Sequence, residues 1–128
     1  MKILIDTHAF LWLITGDARL SAGAREAFLE PKHQLYLSAS SLWEISFKVS
    51  LGKLKLKKGW MKIIETEMKK NLVLWLPIEM HHCERLSKLP FHHRDPFDRM
   101  LIAQAAAEGM HILSNGSEFS KYGIGCIW

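Results

Sequence analysis

A chain of 128 residues with 48% hydrophobic and 23% charged residues is long enough to bury about two thirds of its unfolded surface in one core. It is expected to form a single domain over 1–128, since no linker, repeat or low-complexity stretch divides it. Its apolar runs fall far short of the roughly twenty residues of a membrane span, and Asp6 interrupts the N-terminal hydrophobic stretch, so no membrane, no signal peptide and a cytoplasmic location are expected. The net charge of +4 suits a polyanionic partner without demanding one.

In chain order, Ile3-Leu4-Ile5 reads as a buried parallel strand over 1–6, followed by a helix over 7–15. Ser21 caps a short helix over 21–29, which Pro31 ends. Leu35-Tyr36-Leu37 centres a strand over 34–38, and Ser41 caps a helix over 41–50. A basic connector at 51–58 leads to a helix over 59–70 and a strand over 72–76, closed by Pro77. Helices follow over 79–88 and 96–108, the second stopped by Gly109. Strands over 110–114 and 124–127 complete the chain. Strands alternating with helices argue for an α/β fold with a central parallel sheet built from right-handed crossovers.

Asp6, Glu44 and Asp98 fall just past a strand or in the first turn of a helix. In open parallel sheets that end of the strands lines the ligand crevice. If the strands are neighbours, three carboxylates converge, and such a cluster needs a cation. A hard ion such as Mg²⁺ takes oxygen ligands at about 2.1 Å, usually one or two carboxylates with waters and phosphate. Each acid also has a capping reading. Ser41-x-x-Glu44 fits a capping box, Asp95-Pro96-Phe97-Asp98 fits an N-cap, a proline at N1 and a dipole-favouring acid, and Asp6 fits the cap of the helix that follows. Capping accounts for each acid singly and says nothing about all three meeting at one sheet end.

Lys48, Lys53, Lys55, Lys57, Lys58, Lys62, Lys69 and Lys70 cluster around Trp60. Phosphate contact and a solvated face are both open for these lysines, while Trp60 reads as a core residue and Leu54 and Leu56 as half-buried. Arg94 and Arg99 flank the third acid and are the better candidates for gripping a phosphate. The adjacent pairs His81-His82 and His92-His93 are expected to point apart, which argues against zinc. His8 is expected to pack or to touch substrate at the rim. Cys83 and Cys126, without CxxC spacing, read as reduced, buried thiols.

No GxxxxGK[ST], GxGxxG or GxSxG motif occurs, so nucleotide-binding loops and a serine-hydrolase elbow lack support. A receiver-type domain would want an acceptor Asp where Leu74-Trp75-Leu76-Pro77 stands. A dehalogenase-type phosphatase would want an Asp at His8.

Met1–His8, Ser38–Leu54 and His93–Ala105 together resemble the PIN domain, specifically the VapC-like toxins of bacterial toxin–antitoxin pairs. The resemblance covers essentially the whole chain in order and spacing, and its middle and late blocks are the specific ones. It implies a three-layer α/β/α fold and a Mg²⁺- or Mn²⁺-dependent ribonuclease whose metal-binding acids are Asp6, Glu44 and Asp98. It also implies an RNA substrate, a small antitoxin partner and a homodimer. In that reading Thr7 and Ser114 hold waters or carboxylates around the site, with Asp95, Arg94, Arg99 and Asn115 beside it. One departure stands out: where the family carries a fourth acid, this chain has Gly116. That favours an alternative, a PIN-like RNA- or protein-binding module with little or no nuclease activity, unless Asn115 or Glu118 substitutes.

Overall fold

The computed structural model describes residues 1–128. Five parallel strands, β1 (Lys2–Ile5), β2 (Gln34–Ser38), β3 (Val73–Leu76), β4 (His111–Leu113) and β5 (Cys126–Ile127), lie in the order β3-β2-β1-β4-β5. The helices are α1 (Thr7–Thr15), α2 (Ala22–Leu29), α3 (Ala39–Ser50), α4 (Trp60–Lys70), α5 (Met80–Ser87), α6 (Pro96–Glu108) and α7 (Ser117–Ser120).

The strands alternate between two cores because successive side chains point to opposite faces of a sheet. Ile3, Ile5, Leu35, Leu37 and Leu113 pack with Phe10, Ala24, Ile45 and Ile64 from α1 to α4. Leu4 and Ile112 pack on the other face with Leu101, Ile102 and Ala105 of α6 and with Phe119 of α7. Strand–helix alternation gives the expected parallel sheet, and helices on both of its faces make the three-layer α/β/α arrangement that the family resemblance implies. The chain builds outward from β1 through β2 to β3, then returns through α5 and α6 to place β4 on the other side of β1. The C-terminal ends of β1 and β4 therefore form a topological switch point, where a crevice opens.

Several boundaries differ from expectation. Helix α3 begins two residues early because Ser38, not Ser41, is its N-cap, with Ser38 Oγ accepting the Ser40 N–H at 2.9 Å. Glu44 consequently lies in the second turn, too far along to close a capping box. The last strand is only Cys126–Ile127, and α7, a single turn, carried no periodicity signal. Cys83 and Cys126 are free thiols as expected, but both are exposed rather than buried.

Candidate active site

Asp6 follows β1 and caps α1, its Oδ1 accepting the Ala9 N–H at 2.7 Å. Its other oxygen, Oδ2, takes a hydrogen bond from Ser114 Oγ just beyond β4. Asp6 thus caps α1 through one oxygen and is joined to the end of β4 through the other. Ser114 Oγ also accepts the Gly116 N–H at 2.9 Å, which ties the β4–α7 turn to the first acid.

Glu44 is only 2 % exposed and reaches the same crevice from α3. Its two oxygens are both engaged: Thr7 Oγ1 donates to Oε1 at 2.7 Å, and Lys48 Nζ pairs with Oε2 at 2.6 Å. Lys48 follows Glu44 by one helical turn, the spacing at which side chains meet on a helix face. In the sequence it is one lysine among eight, and the i, i+4 relation to Glu44 is the signal that singles it out.

Asp98 comes from the first turn of α6, but Asp95 is the cap: its Oδ1 accepts the N–H groups of Phe97 and Asp98, each at 2.9 Å. The Asp98 carboxylate accepts no hydrogen bond, and its nearest basic group is His93, Nε2 to Oδ2 at 3.8 Å. Helices α3 and α6 are joined next to the acids by Ser40 Oγ, which donates to the Phe97 carbonyl at 3.1 Å. Gln104, fully buried in α6, accepts from Ser38 Oγ and donates to the Pro77 carbonyl at 3.2 Å, pinning the ends of β2 and β3.

The electrostatics report the crowding. Burial pushes the Asp98 carboxyl up to about 7, with further repulsion from Asp95, Glu44 and Asp6, while Lys48 opposes the shift. Burial also raises Asp6, against hydrogen bonds from Ser114 and Ala9 and the nearby His8 charge, and Glu44 adds repulsion. Acids that sense one another's charge in a partly dry crevice favour protons, or a cation in their place. The donors are oxygen only, and Lys48 offsets just one carboxylate of the three, a set whose chemistry suits a hard divalent ion.

A cleft of about 310 Å³ opens beside the acids, lined by Thr7, His8, Lys48 and Lys53 among others. Arg94 is exposed and forms no ion pair, so its charge is free toward solvent. Arg99 corrects the sequence reading. It is 5 % exposed, with its guanidinium spent on the Pro90 and Leu89 carbonyls and Tyr122 OH, at 2.8, 3.3 and 3.1 Å, and stacked over Phe91. A guanidinium buried and committed in this way is not presented to a phosphate in solvent. Asn115 is exposed and makes no side-chain hydrogen bond, while Glu118 pairs with Lys121 at 3.2 Å.

The lysine-rich segment is exposed throughout 53–58 at its lysines, with Leu54 and Leu56 half-buried between them and Trp60 packed against the core. His81 and His82 do not point apart: both Nε2 atoms lie 3.0 Å from Glu108 Oε1. The cluster is nevertheless poorly suited to a metal. His82 Nδ1 accepts the Glu79 N–H at 3.0 Å, so the neutral ring carries its proton on Nε2, the atom that a cation would need bare. The three side chains form a strut between α5 and α6.

No curated protein matches the sequence. The backbone is similar to that of VapBC2 from Rickettsia felis, solved bound to a DNA fragment from its promoter, with a TM-score of 0.74 at 14% identity, covering 98% of this chain and 97% of that one. VapBC-1 from nontypeable Haemophilus influenzae gives a TM-score of 0.70 at 16% identity, with 98% and 96% covered. FitAcB from Neisseria gonorrhoeae gives 0.56 at 13% identity, with 97% and 95% covered. At these identities the likeness is one of fold. The family model described as "PIN domain" matches residues 3–125, and the chain belongs to the PIN domain family.

Proposed function

We propose that this protein is a divalent-metal-dependent endoribonuclease, a single domain over 1–128 that acts as the toxin of a toxin–antitoxin pair. What supports the reading is that Asp6, Glu44 and Asp98, from the end of β1, from α3 and from α6, sense one another's charge, and that the Asp6 and Asp98 carboxyls are both raised. Asp6 and Asp98 are the residues that would hold Mg²⁺ or Mn²⁺, and Glu44 supports them directly or through water. Such an ion, when bound, supplies charge for the scissile phosphate and acidity for an attacking water.

The chain's own groups account for the remaining tasks. Ser114 holds Asp6 in place and Thr7 holds Glu44, so these two acids are oriented before any ligand arrives. Lys48 and Lys53 on the cleft wall, with Arg94 near α6, are placed to attract the phosphate backbone, and this contribution falls steeply with salt. Trp43 and Phe47 are 60% and 48% exposed on α3 and pack edge-on or tilted against Phe97. We assign this aromatic ridge beside the acids to association of two copies of the chain. No helix is long and apolar enough to cross a membrane.

Gly116 favours a second reading, a PIN module that binds RNA or protein with little turnover, because it leaves three acids where four are expected. The test separates the two. Purified protein incubated with RNA and Mg²⁺ or Mn²⁺ is expected to cleave it, EDTA to abolish cleavage, and Asp98→Asn to be inactive. RNA binding without cleavage under every metal condition supports the second reading instead.

A further inference from the structure

Two side-chain polar atoms are buried without a partner, Ser41 Oγ on α3 and His93 Nε2, and the second is aimed at the site. His93 Nε2 has no hydrogen-bond partner and lies 3.8 Å from Asp98 Oδ2. Its ring is held from behind by Tyr122, whose phenol oxygen lies 3.0 Å from His93 Nδ1. The same oxygen receives the backbone N–H groups of His92 and His93 at 3.2 and 3.3 Å and Arg99 Nη1 at 3.1 Å.

This crowd of donors fixes a proton. A phenol oxygen has two lone pairs and one hydrogen. Three N–H groups already compete for the lone pairs, so the Tyr122 O–H must be donated, and His93 Nδ1 is the one acceptor within reach. A ring that accepts at Nδ1 carries its hydrogen on Nε2 when neutral. The orphan atom is therefore an N–H donor, and it points at the one acid of the site that accepts no hydrogen bond. Closing 3.8 Å to a hydrogen bond near 2.9 Å takes less than about one ångström of side-chain movement.

We propose that His93 is a positioning residue for Asp98: its Nε2–H, held in that tautomer by Tyr122, donates to Asp98 Oδ2 and leaves Oδ1 for a divalent cation. The proposal rests on reading the acids as a metal centre. It also gives buried Arg99 a task, since its guanidinium anchors both Tyr122 and the Leu89–Pro90 carbonyls of the segment that carries His93. Carboxylates that hold metals are commonly oriented by such outer hydrogen bonds, and removing one typically costs about 10–100-fold in metal affinity.

Two measurements on the full chain test it. Long-range ¹H–¹⁵N spectra of the metal-free protein at neutral pH are expected to show His93 as the Nε2–H tautomer, with the Nε2 proton moving downfield on saturation with Mg²⁺. An Nδ1–H tautomer, or an Nε2 proton indifferent to Mg²⁺ that binds, overturns the proposal whether or not any variant folds. In calorimetric titration with Mn²⁺, His93→Phe with an unchanged melting temperature is expected to bind about 10–100-fold more weakly. His93→Gln, which keeps an N–H near that place, should recover most of the loss. Wild-type affinity in a folded His93→Phe overturns this proposal alone, whereas a wild-type protein that binds neither Mg²⁺ nor Mn²⁺ overturns the metal-centre reading and this proposal with it.

Discussion

Ser114 Oγ donates to Asp6 Oδ2 across 108 positions of sequence, joining the end of β4 to the end of β1 at the switch point. The bond exists because the chain returns to the far side of β1 after completing β3. It lowers the Asp6 carboxyl against the upward push of burial.

Ser114→Ala removes that donor and leaves both the buried Asp6 oxygen and the Gly116 N–H short of a partner. A loss of about 1–3 kcal/mol in unfolding free energy is expected from urea denaturation. Asp6 should also shift further upward, moving the acid limb of the RNA-cleavage pH profile to higher pH. A neutral effect on both measurements would mean that the hydroxyl holds nothing.

Asp98→Asn tests the cost of crowding. The folded Asp98 carboxyl sits at about 7, above its ordinary 3.8, so between these values the native state holds more protons than the unfolded chain. Stability of the metal-free protein should therefore fall as pH rises from about 4 to about 7 and flatten beyond. Asn carries no charge to repel, so the variant should melt at or above the wild-type temperature at pH 8, with a smaller advantage or none at pH 5. Cleavage should be lost at both. Melting well below wild type at pH 8 would contradict the repulsion.

Metal affinity carries the same signature with opposite sign. A cation must displace the proton from Asp98, so Mn²⁺ binding should strengthen as pH rises toward about 7 and level off above it. Calorimetry at pH 6 in two buffers of different ionisation enthalpy should reveal proton release that disappears by pH 8.

Lys48 neutralises Glu44 at 2.6 Å and opposes the upward shift of Asp98. Lys48→Met should raise Asp98 further while removing positive charge that competes with a cation. At pH 8, Mn²⁺ should bind at least as tightly as in wild type, yet the KM for RNA should rise and its salt dependence should flatten. Weaker Mn²⁺ binding at pH 8 would show that the ammonium organises the acids rather than competing with the metal.

Gly116 has φ −72° and ψ 121°, so its backbone suits any residue. A Cβ there meets Phe119 and Ser114 Oγ at 3.2 Å, a tight fit. Gly116→Asp is thus expected to cost about 1–3 kcal/mol of stability from overpacking and to strengthen Mn²⁺ binding or raise the cleavage rate. No change in either metal affinity or rate would show that a fourth acid is irrelevant to this site.

Much of this was legible locally. Alternating apolar strands and capped helices announced the parallel sheet, and the Ile3-Leu4-Ile5-Asp6 step placed the first acid, because period and capping act over a few residues. The Ser38 cap was missed because Ser38, Ser40 and Ser41 are equivalent in sequence, and only packing against Gln104 and Phe97 chooses among them. Arg99 looked like a phosphate ligand because its neighbours in sequence are acids. Its neighbours in space are carbonyls and a phenol, and burial committed it to them. The residue types and their order determined which acids sit at the sheet end. The β4–β1 adjacency, set by long-range strand pairing, decided that the Ser114 hydroxyl reaches Asp6, and the packing of α3 and α6 at the same sheet end set the charge the acids feel from one another.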